Sequence, residues 1–327
     1  MRASTERLLL RVAHLYYVEN LTQEEIAPLV NLSRSRISRL LKEARERGHV
    51  TIHIRHPHAE YSDMERAIEQ QLGLREVVIA PVPGGDLKAA LGIEAAAYLE
   101  RVLRAGLVLG VAWGSTVGQV VSALSPRTVP GLRVVQMTGS IYEPPISAGE
   151  LTRRVAETLG GKAFLLLSPA IVDSAQVCRA ILSDSKTRRV FDLHGQIEVA
   201  LFGIGAIQPV VSSSLVGSGF LSTADLRTLR AAGVVADLCS SFLLDSGRVY
   251  RGDLARRVIA IAPDALARIP LKIAVAGGAE KARAIVAACR AGMVDVLITD
   301  PRAADGIAAH AGALKAGSPV HHASDRA

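Results

Sequence analysis

The chain has 327 residues, of which 49% are hydrophobic and 21% charged, a balance that supplies a substantial core and excludes disorder over most of its length. This length predicts two domains rather than one. The formal charge of +7 favours a polyanionic partner, and the aromatic content of only 4% predicts a core of Ala, Val, Leu and Ile.

The cysteines and the apolar runs set the expected environment. Cys178, Cys239 and Cys289 are far apart and form no CxxC or Cys/His spacing, which predicts three buried thiols, no disulfide framework and no metal site. The N-terminal segment lacks a continuous signal-peptide core. No uncharged apolar run reaches about 18 residues. We therefore predict a soluble, cytoplasmic protein that does not associate with membranes.

Two capped helices are predicted within the first fifty residues. Thr22 and Glu25 have capping-box spacing at the start of a helix that runs to about Val30. Ser33 is a second N-cap, and it opens a helix over residues 33–47 with six basic and two acidic residues. The inner side of that helix carries Ile37, Leu40, Leu41 and Ala44.

A short helix, a tight turn and a helix that is basic outside and aliphatic inside are typical of the helix-turn-helix. Arginine can bond guanine edges, and Ser, Arg and Lys bind phosphates. We expect Thr22 and Gln23 to contact the DNA backbone, and residues early in the second helix to face the major groove. The candidates on that helix are Ser33, Arg34, Ser35, Arg36, Ser38, Arg39 and Lys42.

Residues 50–54 alternate like a short strand, which predicts a wing, so residues 1–56 are assigned to an all-α, winged helix-turn-helix domain that binds double-stranded DNA. The alternative is a solvated amphipathic helix over 33–47. It explains the arginine face but not the two capped helices, the short turn and the following strand together.

His56 and His58 flank a proline and are interpreted as polar linker rather than metal ligands. Residues 57–75 are assigned to a linker whose helix, from Tyr61 to Leu72, packs against its copy in a second subunit.

From residue 76 onward, short aliphatic runs alternate with glycine-rich turns and helical stretches. The runs occupy 77–79, 107–111, 134–137, 164–167, 199–202, 273–276 and 294–298, and the helices 86–104, 115–124, 149–159 and 280–291. This alternation predicts a mostly parallel, three-layer α/β domain over 76–315, followed by a disordered tail at 316–327. In such sheets ligands bind where strand ends meet helix N-termini.

Four loops that follow these runs carry candidate ligand contacts. Residues 110–116 place glycine and two hydroxyls where a helix begins, which suits an anion. Residues 136–140 offer polar groups, 203–205 allow close backbone approach, and 277–281 end in a lysine able to reach a phosphate. Each loop alone is weak evidence for a binding site, because a glycine at the end of a strand is more often required by the turn than by a ligand. The candidates are Gly114, Ser115, Thr116, Gln136, Thr138, Gly139, Ser140, Gly203, Gly205, Gly278, Ala279 and Lys281.

Asp237 is a further candidate, because an unpaired carboxylate within the apolar segment 234–239 would be costly. It either caps a helix or bonds the backbone, or it accepts hydroxyls of a ligand, and the sequence leaves both open. Asp245, which precedes Ser246 and Gly247, is predicted to be a turn residue.

Several segments occur in the order found in the SorC family of bacterial transcriptional regulators, which the chain resembles over roughly residues 5–300. They are LTQEEIAPLVNLSRSRISRLLKEARERGHV, GVAWGSTV, VVQMTGSI, ALFGIGAI, GVVADLCSSFLLD and AVAGGAEKARAI. The resemblance implies an effector domain with the sugar-phosphate isomerase/glucosamine-phosphate deaminase-like fold. It also implies a sugar-phosphate effector and a homo-oligomer, dimer or tetramer, on operator DNA.

The resemblance also assigns roles to residues of this chain. Gly114, Ser115, Thr116 and Lys281 fall where the family binds phosphate, and Gln136, Thr138, Gly139 and Asp237 fall where it contacts the sugar. The chain departs from the family at Ser115, where a second Thr is usual, at residues 138–140, where Asn-Gly-Gly is common, and at residues 239–241, where Gly is frequent. These departures lie mainly on the sugar side and leave the identity of the sugar open.

The leading hypothesis is a ligand-responsive regulator of carbohydrate metabolism that is no enzyme and needs no cofactor. The alternative is a sugar-phosphate isomerase or deaminase with an appended DNA-binding domain, in which Asp237 and Lys281 act as acid and base. The candidate loops show no paired carboxylates or activated histidine, which disfavours the enzyme. In a third hypothesis the large domain only oligomerises.

Overall fold

The computed structural model describes residues 2–50, 61–140 and 147–315. The chain divides into two units, Met1–Ala59 and Glu60–Ala327. The predicted wing residues 51–54, the linker histidines and the tail at 316–327 lie outside the described residues. Within the described ranges, every helix is too short or too polar to cross a membrane.

The first unit consists of three helices, α1 (Arg2–Tyr17), α2 (Gln23–Leu29) and α3 (Arg34–Glu46). The predicted capping box is present: Thr22 Oγ1 accepts from the Glu25 amide at 3.3 Å, and the Glu25 carboxylate accepts from the Thr22 amide at 2.8 Å. Ser33 caps α3 through the Arg36 amide. These helices enclose a core that includes Leu9, Val12, Ile26, Ile37, Leu40 and Leu41. The predicted helix-turn-helix is confirmed.

The second unit is built from strands and helices in alternation. Its strands are β1 (Glu76–Ile79), β2 (Val108–Val111), β3 (Arg133–Gln136), β4 (Lys162–Phe164), β5 (Val199–Gly203), β6 (Gly205–Ala206), β7 (Val234–Leu238), β8 (Ser241–Leu244), β9 (Leu271–Val275) and β10 (Val296–Thr299). Its helices are α4 (Ser62–Leu72), α5 (Leu87–Val102), α6 (Ser115–Ala123), α7 (Ala148–Thr158), α8 (Ala175–Ser183), α9 (Ser185–His194), α10 (Ser214–Gly217), α11 (Thr223–Ala231), α12 (Pro263–Ala267), α13 (Ala282–Arg290) and α14 (Pro301–Lys315).

Seven strands form one parallel sheet in the order β1-β10-β9-β5-β2-β3-β4. The chain moves outward from β2 through β3 to β4 and then returns to the other side of β2 as β5. This reversal creates a topological switch point between β2 and β5. Open α/β sheets bind ligands beyond the carboxyl ends of the strands at such a point.

Alternate residues of the strands pack on opposite faces of this sheet. Val108 and Ala200 join one core with α13 and α14, while their neighbours Leu109 and Leu201 join the other with α5, α6 and α7. Burial on both faces explains why the strands read as uninterrupted aliphatic runs. The predicted parallel, three-layer architecture is confirmed.

Helix α4 covers the edge of the sheet, whereas the sequence assigned it to a linker. The Glu65 and Glu69 carboxylates accept from the Ile79 and Val77 amides of β1 at 2.8 and 2.9 Å, and Ile68 is fully buried. These bonds satisfy donors that an edge strand would otherwise expose. The helix therefore belongs structurally to the α/β unit.

A second sheet was not predicted. Strands β6, β7 and β8 pair antiparallel, and Gly205 lies opposite Asp237. Cys239 and Ser240 connect β7 to β8 with φ values of 49° and 60°, a left-handed turn that usually takes Asn or Gly. The sheet brings Asp237 toward the carboxyl end of β5.

Candidate functional site

A cavity of about 380 Å³ lies at the carboxyl ends of β9, β5, β2 and β3, around the switch point. Residues after each of these strands line it, together with residues of the small antiparallel sheet and of α5. The cavity is therefore at the place where this topology concentrates strand ends and helix N-termini.

One part of the cavity wall suits an anion. Gly114 is the N-cap of α6 and offers no side chain, so first-turn amides at Ser115 and Thr116 have no capping side chain to bond. Such amides, with the helix dipole, form a ready site for phosphate. Ser115 and Thr116 add hydroxyl donors from the same turn.

Lys281 contributes the cation to the same cavity. Among the described residues its ammonium has no hydrogen-bond or ion-pair partner, although the side chain is half-buried. Burial lowers the pKa of Lys281, and the nearby charges of Glu280 and Asp237 partly oppose this change. An anionic ligand would supply the missing partner and restore the charged form.

The turn that carries Lys281 is held by Asp300, a residue that the sequence did not single out. The Asp300 carboxylate accepts from the Gly278 amide at 2.7 Å and is 3% exposed. Gly278 has φ 98°, and a Cβ on Gly277 would lie 2.6 Å from Asp300 Oδ1. Glycine is thus required at both positions, which explains the Gly-Gly pair before Lys281.

Asp237 lies on β7 in the cavity wall, and Ser213 Oγ donates to its Oδ2. Burial raises the pKa of Asp237, while the bond from Ser213 and the charge of Lys281 act in the opposite direction. Gly205 permits this arrangement, because a Cβ there would lie 2.5 Å from Asp237 Oδ2. Among the described residues, the Asp237 carboxylate thus bonds the Ser213 side chain rather than a helix N-terminus or another backbone amide. Its contact with a ligand stays a prediction.

Eight of the predicted ligand contacts line the cavity. They are Gly114, Ser115, Thr116, Thr138, Gly203, Gly205, Asp237 and Lys281. Gln136, Gly139, Ser140, Gly278 and Ala279 are not among the lining residues. The structure thus brings together residues of all four loops: loop 203–205 lines the cavity throughout, and the other three do so only in part.

Gln136 is the clearest departure from expectation. It is fully buried, donates to the Thr138 and Leu166 carbonyls, and accepts from the Leu166 amide at 3.0 Å. These bonds satisfy the loop backbone and leave the amide unavailable to a ligand. Gly139 is likewise structural, because a Cβ there would lie 2.3 Å from the Pro169 carbonyl oxygen.

Several lining residues escaped the sequence analysis. Residues 212–214 are three successive serines, and Lys88 also lines the cavity, whereas Trp113 and Ser240 lie in segments that the sequence had already indicated. The serine run was a usable signal, since three successive hydroxyls follow the predicted strand at 199–202 and its glycine turn after six intervening residues. The apolar wall formed by Leu87, Leu91 and Leu215 gave no signal, because leucines at those spacings also predict ordinary core.

The exposed side of α3 in the first unit is a candidate DNA interface. Ser33, Arg34, Ser35, Arg36, Ser38, Arg39 and Lys42 are all exposed. Arg34 Nε lies 2.7 Å from Glu24 Oε1, and Lys42 pairs with Glu46 at 3.6 Å. Arg36 and Arg39 form no ion pair within the part of the chain that the structure describes. Thr22 is exposed and Gln23 half-buried at the start of α2.

Comparison with known proteins agrees with both parts of this architecture. Residues 6–47 match region 4 of sigma-70, and residues 56–309 match the family of sugar-binding domains. The crystal structure of the full-length sorbitol operon regulator SorC from Klebsiella pneumoniae superposes with a TM-score of 0.71 at 27% identity, covering 92% of this chain and 98% of SorC. The chain belongs to the SorC family.

Curated relatives of this SorC-family chain are regulators. The deoxyribonucleoside regulator of Bacillus subtilis is 29% identical over 309 residues, which is 93% of this chain and 98% of that protein. The sorbitol operon regulator of Klebsiella pneumoniae is 28% identical over 306 residues, or 91% and 96% of the two chains. This SorC-family chain is thus a DNA-binding transcriptional regulator with a sugar-binding domain.

Proposed function

We propose that the cavity binds a phosphorylated sugar and that this binding changes the affinity of the first unit for an operator. The observation that carries the proposal is the unpaired, half-buried Lys281 ammonium in one cavity with the uncapped amides of α6. A phosphate would satisfy both sets of donors at once. Asp237, with its carboxylate in the same cavity, suits the sugar hydroxyls.

On the DNA side, Arg36 and Arg39 are the proposed base-reading residues, because no carboxylate among the described residues engages them. Thr22, Gln23, Ser33, Arg34, Ser35, Ser38 and Lys42 are proposed to contact the backbone or to set the register. Helix-turn-helix proteins generally read two half-sites as dimers, so we propose that the chain acts as a dimer or tetramer.

The proposed domain binds its ligand without chemical turnover. This proposal is supported by the relatives named above, which are transcriptional regulators. Incubation with pentose and hexose phosphates should leave each sugar unchanged. Conversion at ordinary enzymatic rates would favour the isomerase or deaminase alternative.

Isothermal titration of the full chain tests the ligand class. Glucose 6-phosphate, fructose 6-phosphate and ribose 5-phosphate are compared with their unphosphorylated sugars and with inorganic phosphate. At least one phosphorylated sugar should bind, and its unphosphorylated form should bind far more weakly. Equal binding of both forms would contradict the proposal.

Lys281→Met provides the matched test of the phosphate contact. A hydrogen bond to a charged group contributes about 1.5–3 kcal/mol, so the variant should bind the phosphorylated sugar roughly 10- to 150-fold more weakly. Lys186→Met, at an exposed lysine of α9 outside the cavity, is the control and should bind like the wild type. Unchanged affinity in Lys281→Met would remove the ammonium from the site.

A further inference from the structure

Two hydroxyl groups in the cavity wall are buried without a partner among the described residues. Thr138 is 3% exposed and Ser212 is half-buried, and the hydroxyl oxygen of each is buried with no hydrogen-bond partner among the described residues. Leaving a buried polar group unpaired costs about 1–3 kcal/mol. Because most such groups in folded proteins are paired, these two need an explanation.

The backbone around Ser212 is fixed by the sheet rather than free to relieve that cost. The Ser212 and Ser213 amides both donate to the Ala206 carbonyl of β6, at 3.0 and 3.1 Å. Ser213 Oγ is already committed to Asp237 Oδ2. The side chain of Ser212 can nevertheless change rotamer about a single bond, and so can that of Thr138.

The unpaired groups converge from three separate elements. Thr138 follows β3, Ser212 follows β6, and Asp237 lies on β7 with no hydrogen bond to its Oδ1 from the described residues. Together they offer two hydroxyls, each donor and acceptor, and one carboxylate oxygen that only accepts. This set complements the hydroxyls of a polyol better than a phosphate, which the carboxylate would repel.

The family resemblance already implies sugar contacts at Thr138 and Asp237. We propose that Ser212 joins them as a third hydroxyl-recognising group in one subsite, and that it selects the sugar by a hydroxyl that a deoxy analogue lacks. The inference rests on the proposed function, and it adds Ser212 as a specificity-determining residue. A site built to hydrogen-bond a ligand hydroxyl discriminates strongly against an analogue without it, because the buried protein groups then stay unpaired.

The chain supplies matched controls for both hydroxyls. Thr299 Oγ1 and Ser168 Oγ are also buried without a partner in the described part of the chain, but neither residue lines the cavity. Thr299 is fully buried at the end of β10. Thr138→Val and Ser212→Ala therefore pair with Thr299→Val and Ser168→Ala.

The ligand for the first measurement is whichever of glucose 6-phosphate, fructose 6-phosphate and ribose 5-phosphate binds wild type most tightly. The four full-length variants are then titrated with it by calorimetry. Thr138→Val and Ser212→Ala should each weaken binding by about 10-fold, the worth of one hydrogen bond, and the two controls should not. In Thr138→Val and Ser212→Ala, the affinity for the unphosphorylated sugar should fall by the same factor. Lys281→Met, by contrast, should weaken binding of the phosphorylated form only. Wild-type affinity in Ser212→Ala would overturn the proposal, whatever Thr138→Val shows.

The second measurement uses the monodeoxy analogues of that sugar phosphate. Wild type should bind at least one analogue about 10-fold more weakly, and the matching cavity variant should lose little further affinity for it. Equal binding of every analogue by wild type would overturn the subsite while leaving the phosphate site intact. If no phosphorylated sugar binds wild type, the proposed function itself fails and the subsite falls with it.

Thermal melting without ligand adds a test that depends on no sugar. Removal of an unpaired buried hydroxyl should leave the melting temperature of Thr138→Val unchanged or raise it, as for Thr299→Val. A clear drop in Thr138→Val alone would show that the hydroxyl has a structural partner, which would contradict its assignment to a ligand.

Discussion

Replacing Asp300 with alanine removes two hydrogen bonds made by one buried carboxylate. Its Oδ1 accepts from the Gly278 amide at 2.7 Å, and its Oδ2 accepts from the Arg302 amide at 3.1 Å in the first turn of α14. Loss of the second bond removes a helix cap, worth about 1 kcal/mol. Loss of the first leaves a buried amide unpaired, at about 1–3 kcal/mol. The expected loss in the free energy of unfolding is therefore about 2–4 kcal/mol.

Urea denaturation followed by tryptophan fluorescence measures this loss, because the single tryptophan, Trp113, lies in the α/β unit. Asp305→Ala, at an exposed position of α14, is the control and should change the free energy by less than about 0.5 kcal/mol. Asp300→Ala should also weaken binding of the sugar phosphate, since the turn that carries Lys281 loses its anchor. A free energy of unfolding within 0.5 kcal/mol of wild type would show that the two Asp300 hydrogen bonds do not stabilise the fold.

Three further predictions concern pH and DNA. Burial lowers the pKa of His194, although its bond to the Gln136 carbonyl opposes this change. The contribution of neutral His194 to folding stability is therefore full above the unfolded pKa of about 6.5, and it is lost as pH falls toward the folded pKa. Between pH 7 and 5, the free energy of unfolding should fall less steeply in His194→Gln than in wild type, as measured by urea denaturation. An equal fall in both proteins would contradict a lowered pKa for His194. Because burial also lowers the pKa of Lys281, sugar-phosphate affinity in wild type should fall with rising pH before an exposed lysine would lose its proton, and it should not do so in Lys281→Met. Calorimetry at a series of rising pH values would count against the phosphate contact if the two proteins behaved alike. Arg36→Ala should weaken operator binding by about 1–3 kcal/mol and relax base preference, whereas Arg179→Ala in α8 should not; unchanged preference in an anisotropy titration would remove Arg36 from the base-reading set.

The main sheet and the capped helices could be predicted because their signals are local. Strands buried on both faces must be apolar throughout, and a capping box such as Thr22 with Glu25 needs only adjacent residues. Strand β4 was placed too late, at 164–167, because leucines continue past its end. Leu166 instead bonds Gln136, and Leu167 is 89% exposed. The end of β4 is therefore set by tertiary contacts such as that of Leu166 with Gln136, which the hydrophobicity of the sequence does not reveal.

The site was predicted in outline but not in its orientation. Loops after parallel strands meet at one edge, so residues such as Thr116 and Lys281 could be grouped from sequence. Which side chains of each loop face inward depends on distant partners: Gln136 turns to the Leu166 backbone, and Asp237 enters the cavity only because β7 pairs with β6. These contacts join residues that are far apart in the sequence, and strand β6 is very short, so neither contact produces a periodic pattern in the sequence.

In the proposed function, ligand binding in the cavity is coupled to DNA binding by α3. The direct measurement is the affinity of the full chain for a duplex selected from a random pool, taken with and without a sugar phosphate that binds the cavity. Reciprocity requires the operator to shift the affinity for the sugar phosphate by the same factor. We expect the sugar phosphate to change the affinity for the duplex by at least about 5-fold, and this change should disappear in Lys281→Met. Selective duplex binding that no such ligand alters would contradict the proposed function, as would the absence of any preferred duplex.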